Sequence, residues 1–338
     1  MERNKPNIFN IATKELSQDA FITWLLLFGD EAWEEDYPEL NQCSCEFITA
    51  LLRKHHPDFD GIITSVEAKR QHEGIDIWVL VNQHYRLIIE DKTNTAQHNN
   101  QLRRYREIAE KDCLKHNYAN PVCIYLKTGN QSAGSLEYVK RDGFHTFLRQ
   151  DFLKILEKYQ QIENDIFQDF LVRLRMLEGK NQAFKDKEIG KWNKYDWQGF
   201  FGFLEKEQLN ENEKILKRWG YAANAAGGLL WGILAEHHSV YFQIESKDAK
   251  LCFKIKDTNQ QSSKAKSYFK YLSEKARESN FSLHKPKRFG SGKTMTAAVI
   301  ACEDWLGNKE DKLNPEDVVL RLKKVIAFFE QTAQQFSE

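Results

Sequence analysis

The chain has 338 residues, enough for two domains or one large one, and its 41% hydrophobic and 29% charged residues are those of an ordinary globular protein. Lys+Arg and Asp+Glu number 49 each, so the formal net charge is zero; this argues against non-specific coating of DNA but leaves room for a nucleic-acid enzyme with charge segregated onto one face. No apolar run approaches the roughly 18 residues that span a bilayer, residues 1–6 lack the apolar region of a signal peptide, and the six cysteines form no CxxC pair, so a cytoplasmic chain with free thiols and no structural zinc is expected.

Residues 13–28 read as a helix, with Leu16, Ala20, Thr23/Trp24 and Leu27 at the helical period and Thr13 or Ser17 as cap. A second amphipathic helix is expected over 44–55, with Phe47, Leu51 and Leu52 inward and Cys43-Ser44-Cys45 at its start. Residues 62–69 look like a strand. Ile75–Val81 and Tyr85–Lys92 are apolar runs about a turn at Asn82-Gln83-His84, the signature of a β-hairpin. A helix follows over 99–115, with Leu102, Tyr105, Ile108 and Ala109 on one face, and then a short buried strand over 121–126. Helix, three strands, helix, strand implies an α/β domain with a mixed sheet flanked by helices.

Residues 146–178 read as mainly helical, with Phe147, Phe152, Ile155, Leu156, Ile166, Phe170 and Leu174 in the core. The polar stretch 179–194 marks a boundary between domains 1–185 and 186–338. Beyond it, a helix at 196–208 precedes strands at 229–235, 239–246 and 249–256. A helix at 262–280, a strand at 294–302 and a closing helix at 315–336 complete an α+β domain with antiparallel strands. Phe289-Gly290-Ser291-Gly292-Lys293-Thr294 superficially suggests a phosphate loop. Lys287 stands where that motif needs glycine and a strand follows, so the segment reads as a turn. Trp192, Trp197, Trp219 and Trp231 are assigned to the core in preference to base stacking.

The hairpin carries the chemistry. An acid, Asp76, opens its first strand and Glu90-Asp91-Lys92 closes the second, where the pattern calls for more core. Antiparallel pairing brings the start of one strand beside the end of the next. Glu90 and Lys92, two apart, share a face. Two carboxylates and an ammonium at one end of an apolar hairpin suggest a hard-cation site, Mg²⁺ or Mn²⁺, with a lysine beside it to stabilise charge on a phosphate. The competing reading is a salt-bridged strand edge.

Asp76…Glu90-Asp91-Lys92 resembles the D…(D/E)xK signature of the PD-(D/E)XK nuclease superfamily. Thr13-Lys14-Glu15-Leu16-Ser17-Gln18-Asp19-Ala20-Phe21…Trp24-Leu25-Leu26 resembles the first-helix motif of a bacterial branch of it, and Gln101-Leu102-Arg103-Arg104-Tyr105 its Qxx(x)Y motif. The resemblance spans roughly residues 8–130; residues 190–338 carry none. It implies a restriction-endonuclease-like fold and a metal-dependent endonuclease acting on nucleic acid, DNA first, in defence against foreign DNA. It makes Glu15 a third metal ligand with Asp76 and Glu90, Lys92 the residue assisting the water and the transition state, and Gln101 their support. Ile75 replaces the nominal proline. Asp19 and Glu67 compete with Glu15, Glu67 ranking second. Asp91, on the opposite face, is structural or a partner for a base such as Arg103. Arg103, Arg104 and Arg106 either contact phosphates or form a solvated face. His55, His56, His72, His84 and His98 are assigned to the surface. A homodimer follows if both strands of a duplex are cut. A catalytically silent binding module on the same fold and an RNase are the alternatives, the intact acid–acid–lysine set disfavouring the first.

Overall fold

Among the described residues, 5–93, 100–223, 228–256, 258–259, 261–279, 281–290 and 292–337 of a computed structural model, two five-stranded sheets carry the fold. The chain divides into two compact units, 1–131 with 135–179, and 180–338 with 132–134.

In the first unit, helix α1 (Glu15–Leu27) starts after Lys14, without the side-chain cap expected from Thr13 or Ser17. Its inward residues are Gln18, Asp19, Phe21, Ile22, Thr23, Leu25 and Leu26; of the expected face Thr23 is buried, whereas Leu16, Ala20 and Leu27 are exposed. Ala20–Phe28 is apolar almost all round, so periodicity leaves the phase open. Polar partners for Gln18 on the sheet settle it. Helix α2 (Pro38–Leu52) begins six residues earlier than expected, with proline in its first turn, and Cys43 and Cys45 fall in mid-helix. Strand β1 (Val66–His72) begins four residues late. Residues 62–64 are instead tied down by Asn82, whose Nδ2 donates to the Ile62 carbonyl at 2.7 Å and whose Oδ1 accepts from the Thr64 N–H at 2.8 Å.

Strands β2 (Ile75–Val81) and β3 (Tyr85–Lys92) form the hairpin. Asn82 and Gln83 both take positive φ, 51° and 49°, and the turn closes from the His84 N–H to the Val81 carbonyl. Helix α3 (Gln101–His116) crosses to β4 (Val122–Lys127), and α4 (Ala133–Arg141) crosses to β5 (His145–Leu148). The sheet order is β1-β2-β3-β4-β5, antiparallel up to β3 and parallel from β3 to β5. The mainly helical stretch expected over 146–178 opens with the short strand β5 and continues as helix α5 (Arg149–Leu156) and helix α6 (Asp165–Gln182). The Asp151 carboxylate accepts the Leu148 N–H at 2.9 Å and starts α5 there. Phe147 is buried in β5, and Ile166 is exposed at 45%. Phe47 stacks on Phe152 and Phe21 on Phe170 over one sheet face, while Trp78, Ile88, Leu102, Tyr105 and Cys123 fill the other. Cover on both faces explains the near-continuous apolar runs of β2–β4.

In the second unit, Asn193 and Asp196 cap helix α7 (Lys194–Leu204). The all-antiparallel sheet has the order β10-β9-β8-β7-β6. It comprises β6 (Arg218–Ala222), β7 (Leu229–His237), β8 (Val240–Glu245), β9 (Lys250–Ile255) and β10 (Met295–Ile300). Strand β6 was unforeseen, since it is short and carries a glycine. That glycine is required: the Trp231 ring lies over Gly220, where a Cβ would meet it at 2.8 Å. Helices α8 (Ser262–Ser279) and α9 (Pro315–Ser337) complete the core, with Phe242 stacked on Phe329 at 5.7 Å. Trp197 and Trp219 are buried core residues, and Trp192 packs against them. Strand β10 follows Gly292-Lys293-Thr294, as expected of a turn; Ser291, like His98, lies outside the described residues. All six cysteines are free thiols, and no described helix is long and apolar enough to cross a membrane.

Candidate active site

Register places the cluster. Ile77 pairs with Ile89, so the next residues outward, Asp76 and Glu90, lie side by side. The Asp91 N–H donates to Asp76 Oδ2 at 2.9 Å, and Gln71 Nε2 donates to Oδ1 at 3.2 Å. At the end of β3 the Thr93 N–H donates to Glu15 Oε1 at 3.0 Å, drawing the first turn of α1 over the sheet edge. The Lys92 ammonium lies 2.6 Å from Glu90 Oε1, 3.6 Å from Asp76 Oδ2 and 3.9 Å from Glu15 Oε2. Three carboxylates from three elements thus face one cation.

Glu90 is fully buried, with neither oxygen receiving a well-directed hydrogen bond among the described residues; the Lys92 contact is close but off line. Burial, and then the neighbouring Asp76 charge, push its carboxyl up to about 8, against the opposing pull of Lys92. Burial also works against the charge on Lys92. It is outweighed by Glu90, Asp76 and Glu15, so the ammonium is held above the ordinary lysine range.

The other sequence candidates fall elsewhere. Glu67 pairs with Leu80 in the strand register and meets Gln83 at 2.9 Å, at the turn end of the hairpin, so it does not reach the cluster. Asp19 is buried, 4.0 Å from Arg70 and against Asp91; burial and then Asp76 push its carboxyl up to about 6. Asp91 turns away from Glu90, as expected, but its partner is not Arg103, which pairs with Asp142 at 3.3 Å. Asp91 accepts instead from Gln18 Nε2, whose Oε1 takes the Thr128 hydroxyl at 2.7 Å. This buried amide bridges β3 and the end of β4, and it explains the phase of α1. Gln101 Nε2 donates to the Tyr105 hydroxyl at 3.0 Å, and that hydroxyl donates to the Gly74 carbonyl. Gln101 therefore braces the turn leading into Asp76 and makes no direct contact with Lys92.

Two neighbours went unread in the sequence. Parallel pairing sets Tyr125 beside Glu90 and Lys127 beside Lys92. Lys127 is buried, and burial lowers its ammonium to about 8, against the pull of Glu15 and Asp91. The two-residue period of a strand, carried from Tyr125 to Lys127, was the available signal.

Among the described residues no three Asp, Glu, His or Cys side chains stand close enough together to enclose a metal ion. The donor chemistry nevertheless fits one. Asp76 and Glu90 are adjacent hard oxygen donors, the second with undirected buried oxygens, and a dication that keeps most of its waters needs only one or two carboxylates.

A mixed sheet whose hairpin end gathers acids around a lysine, with helices on both faces, is a restriction-endonuclease-like arrangement. A family model of the PD-(D/E)XK nuclease superfamily matches residues 6–198, more than half of the chain, and the chain belongs to that superfamily. No curated protein and no solved structure matches it.

Proposed function

We propose that the protein is a divalent-cation-dependent nuclease hydrolysing phosphodiester bonds in DNA, with residues 1–185 as catalytic domain and 186–338 as an accessory α+β domain. The observation that carries this reading is the Lys92 ammonium within 4 Å of Glu15, Asp76 and Glu90. Mg²⁺ or Mn²⁺ would be held by Asp76 and Glu90, with Glu15 completing the acidic rim. When bound, the ion supplies charge to a phosphoryl oxygen and acidifies a water.

The chain's own residues do the rest. Lys92, kept protonated by its acids, donates to a non-bridging phosphate oxygen and stabilises the charge that grows there. It is no base in this state. The backbone N–H groups of Asp91 and Thr93 aim Asp76 and Glu15, so the end of β3 is itself the template of the site. Gln101 acts one step back, through Tyr105 and Gly74. Defence against foreign DNA is the setting this activity would serve, and a second copy of the chain would supply the second cut of a duplex.

The test is cleavage of plasmid, linear duplex, single-stranded DNA and RNA with Mg²⁺ or Mn²⁺, comparing wild type with Lys92→Ala and Asp76→Ala. Loss in both folded variants supports the assignment, and the preferred polymer decides between DNA and RNA. Variants that cut as well as wild type place the active site elsewhere. A wild type that cuts nothing favours a silent binding module. A monomeric mass with duplex bound would count against the homodimer.

A further inference from the structure

The zero net charge of the chain hides a sharp segregation. Residues 262–293 hold nine Lys or Arg against two Glu, a net charge of +7 in 32 residues, so the other 306 carry −7. The segment comprises α8 and the loop leading to β10. The loop folds back on the helix. The Phe281 N–H closes onto the Ala276 carbonyl at 3.0 Å, Phe289 meets Phe269 of α8 at 6.2 Å, and His284 pairs with Val299 of β10. Helix and loop therefore form one surface.

Its cations are exposed. Lys266 and Lys270, one helical turn apart, and Lys285, Lys287, Arg288 and Lys293 all face solvent, and none has a carboxylate within ion-pair distance among the described residues. Other cations of the same unit are paired with carboxylates, among them Arg218 with Glu236, Lys254 with Glu245 and Lys187 with Asp196. On the same helix Lys275 meets Glu278 at 3.2 Å, but a folded surface that gathers more like charge than it neutralises carries a repulsive cost, which an anionic partner removes. Lys285 lies over the ring of the half-buried Phe289 at 5.5 Å.

We infer that the α8 helix with its following loop is a docking surface for the phosphate backbone of a nucleic acid, which gives the second unit the role of holding the polymer. The choice of nucleic acid over other polyanions rests on the nuclease reading of the first unit; the surface itself is read from charge alone. Binding of this kind is sequence-independent and steeply salt-dependent, because each neutralised phosphate releases counterions.

The experiment uses the full chain in EDTA, so that no cleavage intervenes, with a fluorescein-labelled 30-base-pair DNA and its single strand as probes. Affinity is measured by anisotropy against salt for wild type, Lys266→Glu/Lys270→Glu and Lys287→Glu/Arg288→Glu. Each double variant is expected to weaken binding by about tenfold or more at 0.1 M salt and to flatten the log–log salt slope by about 2, roughly 1 per lost contact. Unchanged unfolding midpoints show that the fold is intact. Affinities and slopes equal to wild type overturn the inference, as does binding to phosphatidylglycerol vesicles with none to DNA. A protein that binds in the expected pattern yet cuts nothing leaves the docking surface standing and sinks the nuclease reading. One that cuts, with binding untouched by the variants, does the reverse.

Discussion

Glu90 and Glu245 are both buried glutamates facing a lysine, one in each unit, and their environments drive them in opposite directions. Glu245 meets Lys254 at 2.9 Å and Lys250 at 3.4 Å and accepts from Gln243 at 2.8 Å. Burial works to raise its pKa, but these partners win and hold it below the ordinary carboxylate range. Glu90 has one lysine, which Asp76 and Glu15 share, and its carboxyl is pushed up to about 8. The Glu245 carboxylate is met by two ammonium groups and an amide. In the Glu90 cluster, three carboxylates, Glu15, Asp76 and Glu90, share the Lys92 ammonium, and burial raises the Glu90 carboxyl.

The largest break in this contrast is chemical. Lys92→Ala and Asp76→Ala should each lower the cleavage rate by roughly 10²–10⁴-fold with unchanged circular dichroism, whereas Glu245→Ala should leave the rate per folded molecule intact.

The pH dependence follows next. The folded-state pKa of Glu90 is raised from 4.5 to about 8, so the folded protein holds a proton that the unfolded chain has released. Its contribution lowers stability as pH rises from about 4.5 to about 8, by up to about 1.4 kcal/mol per pH unit, and is level outside that window. Glu90→Gln should remove this slope from unfolding midpoints measured in EDTA; a slope equal to wild type would contradict the unbalanced burial of Glu90.

Glu245→Ala strands Lys254 and should cost about 3 kcal/mol in urea unfolding, while Glu90→Gln in EDTA should stabilise. Mg²⁺ or Mn²⁺ at a hundred times its dissociation constant should stabilise wild type by about 2.7 kcal/mol, and the gain should vanish in Asp76→Asn. The smallest effect sharpens the boundary of the site: Arg103→Ala, whose partner is the peripheral Asp142, should change stability by less than about 0.5 kcal/mol.

The hairpin and, with it, the meeting of Asp76, Glu90 and Lys92 were legible in adjacent residues. Antiparallel register over a three-residue turn is a local property, and local properties are written in adjacent residues. The spacing of Gln101 and Tyr105 on one helix face was legible for the same reason. Glu15 was legible only through family resemblance, since nothing near it in the chain says that it will reach Thr93.

Tertiary structure decided the rest. Lys127 stands beside Lys92 because two strands separated by a helix pair in parallel, a contact that no short window encodes. The face of α1 was set by Gln18 finding Asp91 and Thr128, because an all-round apolar helix has no phase of its own. Glu67 lost its place through a shift of β1, held by the Asn82 side chain. The cations of 262–293 could be counted in the sequence, but only the packing of the loop onto α8 joins the exposed lysines of the helix and the exposed cations of the loop into one surface. Charge and periodicity are properties of residues, whereas neutralisation and register are properties of pairs, and most pairs form only when the chain closes on itself.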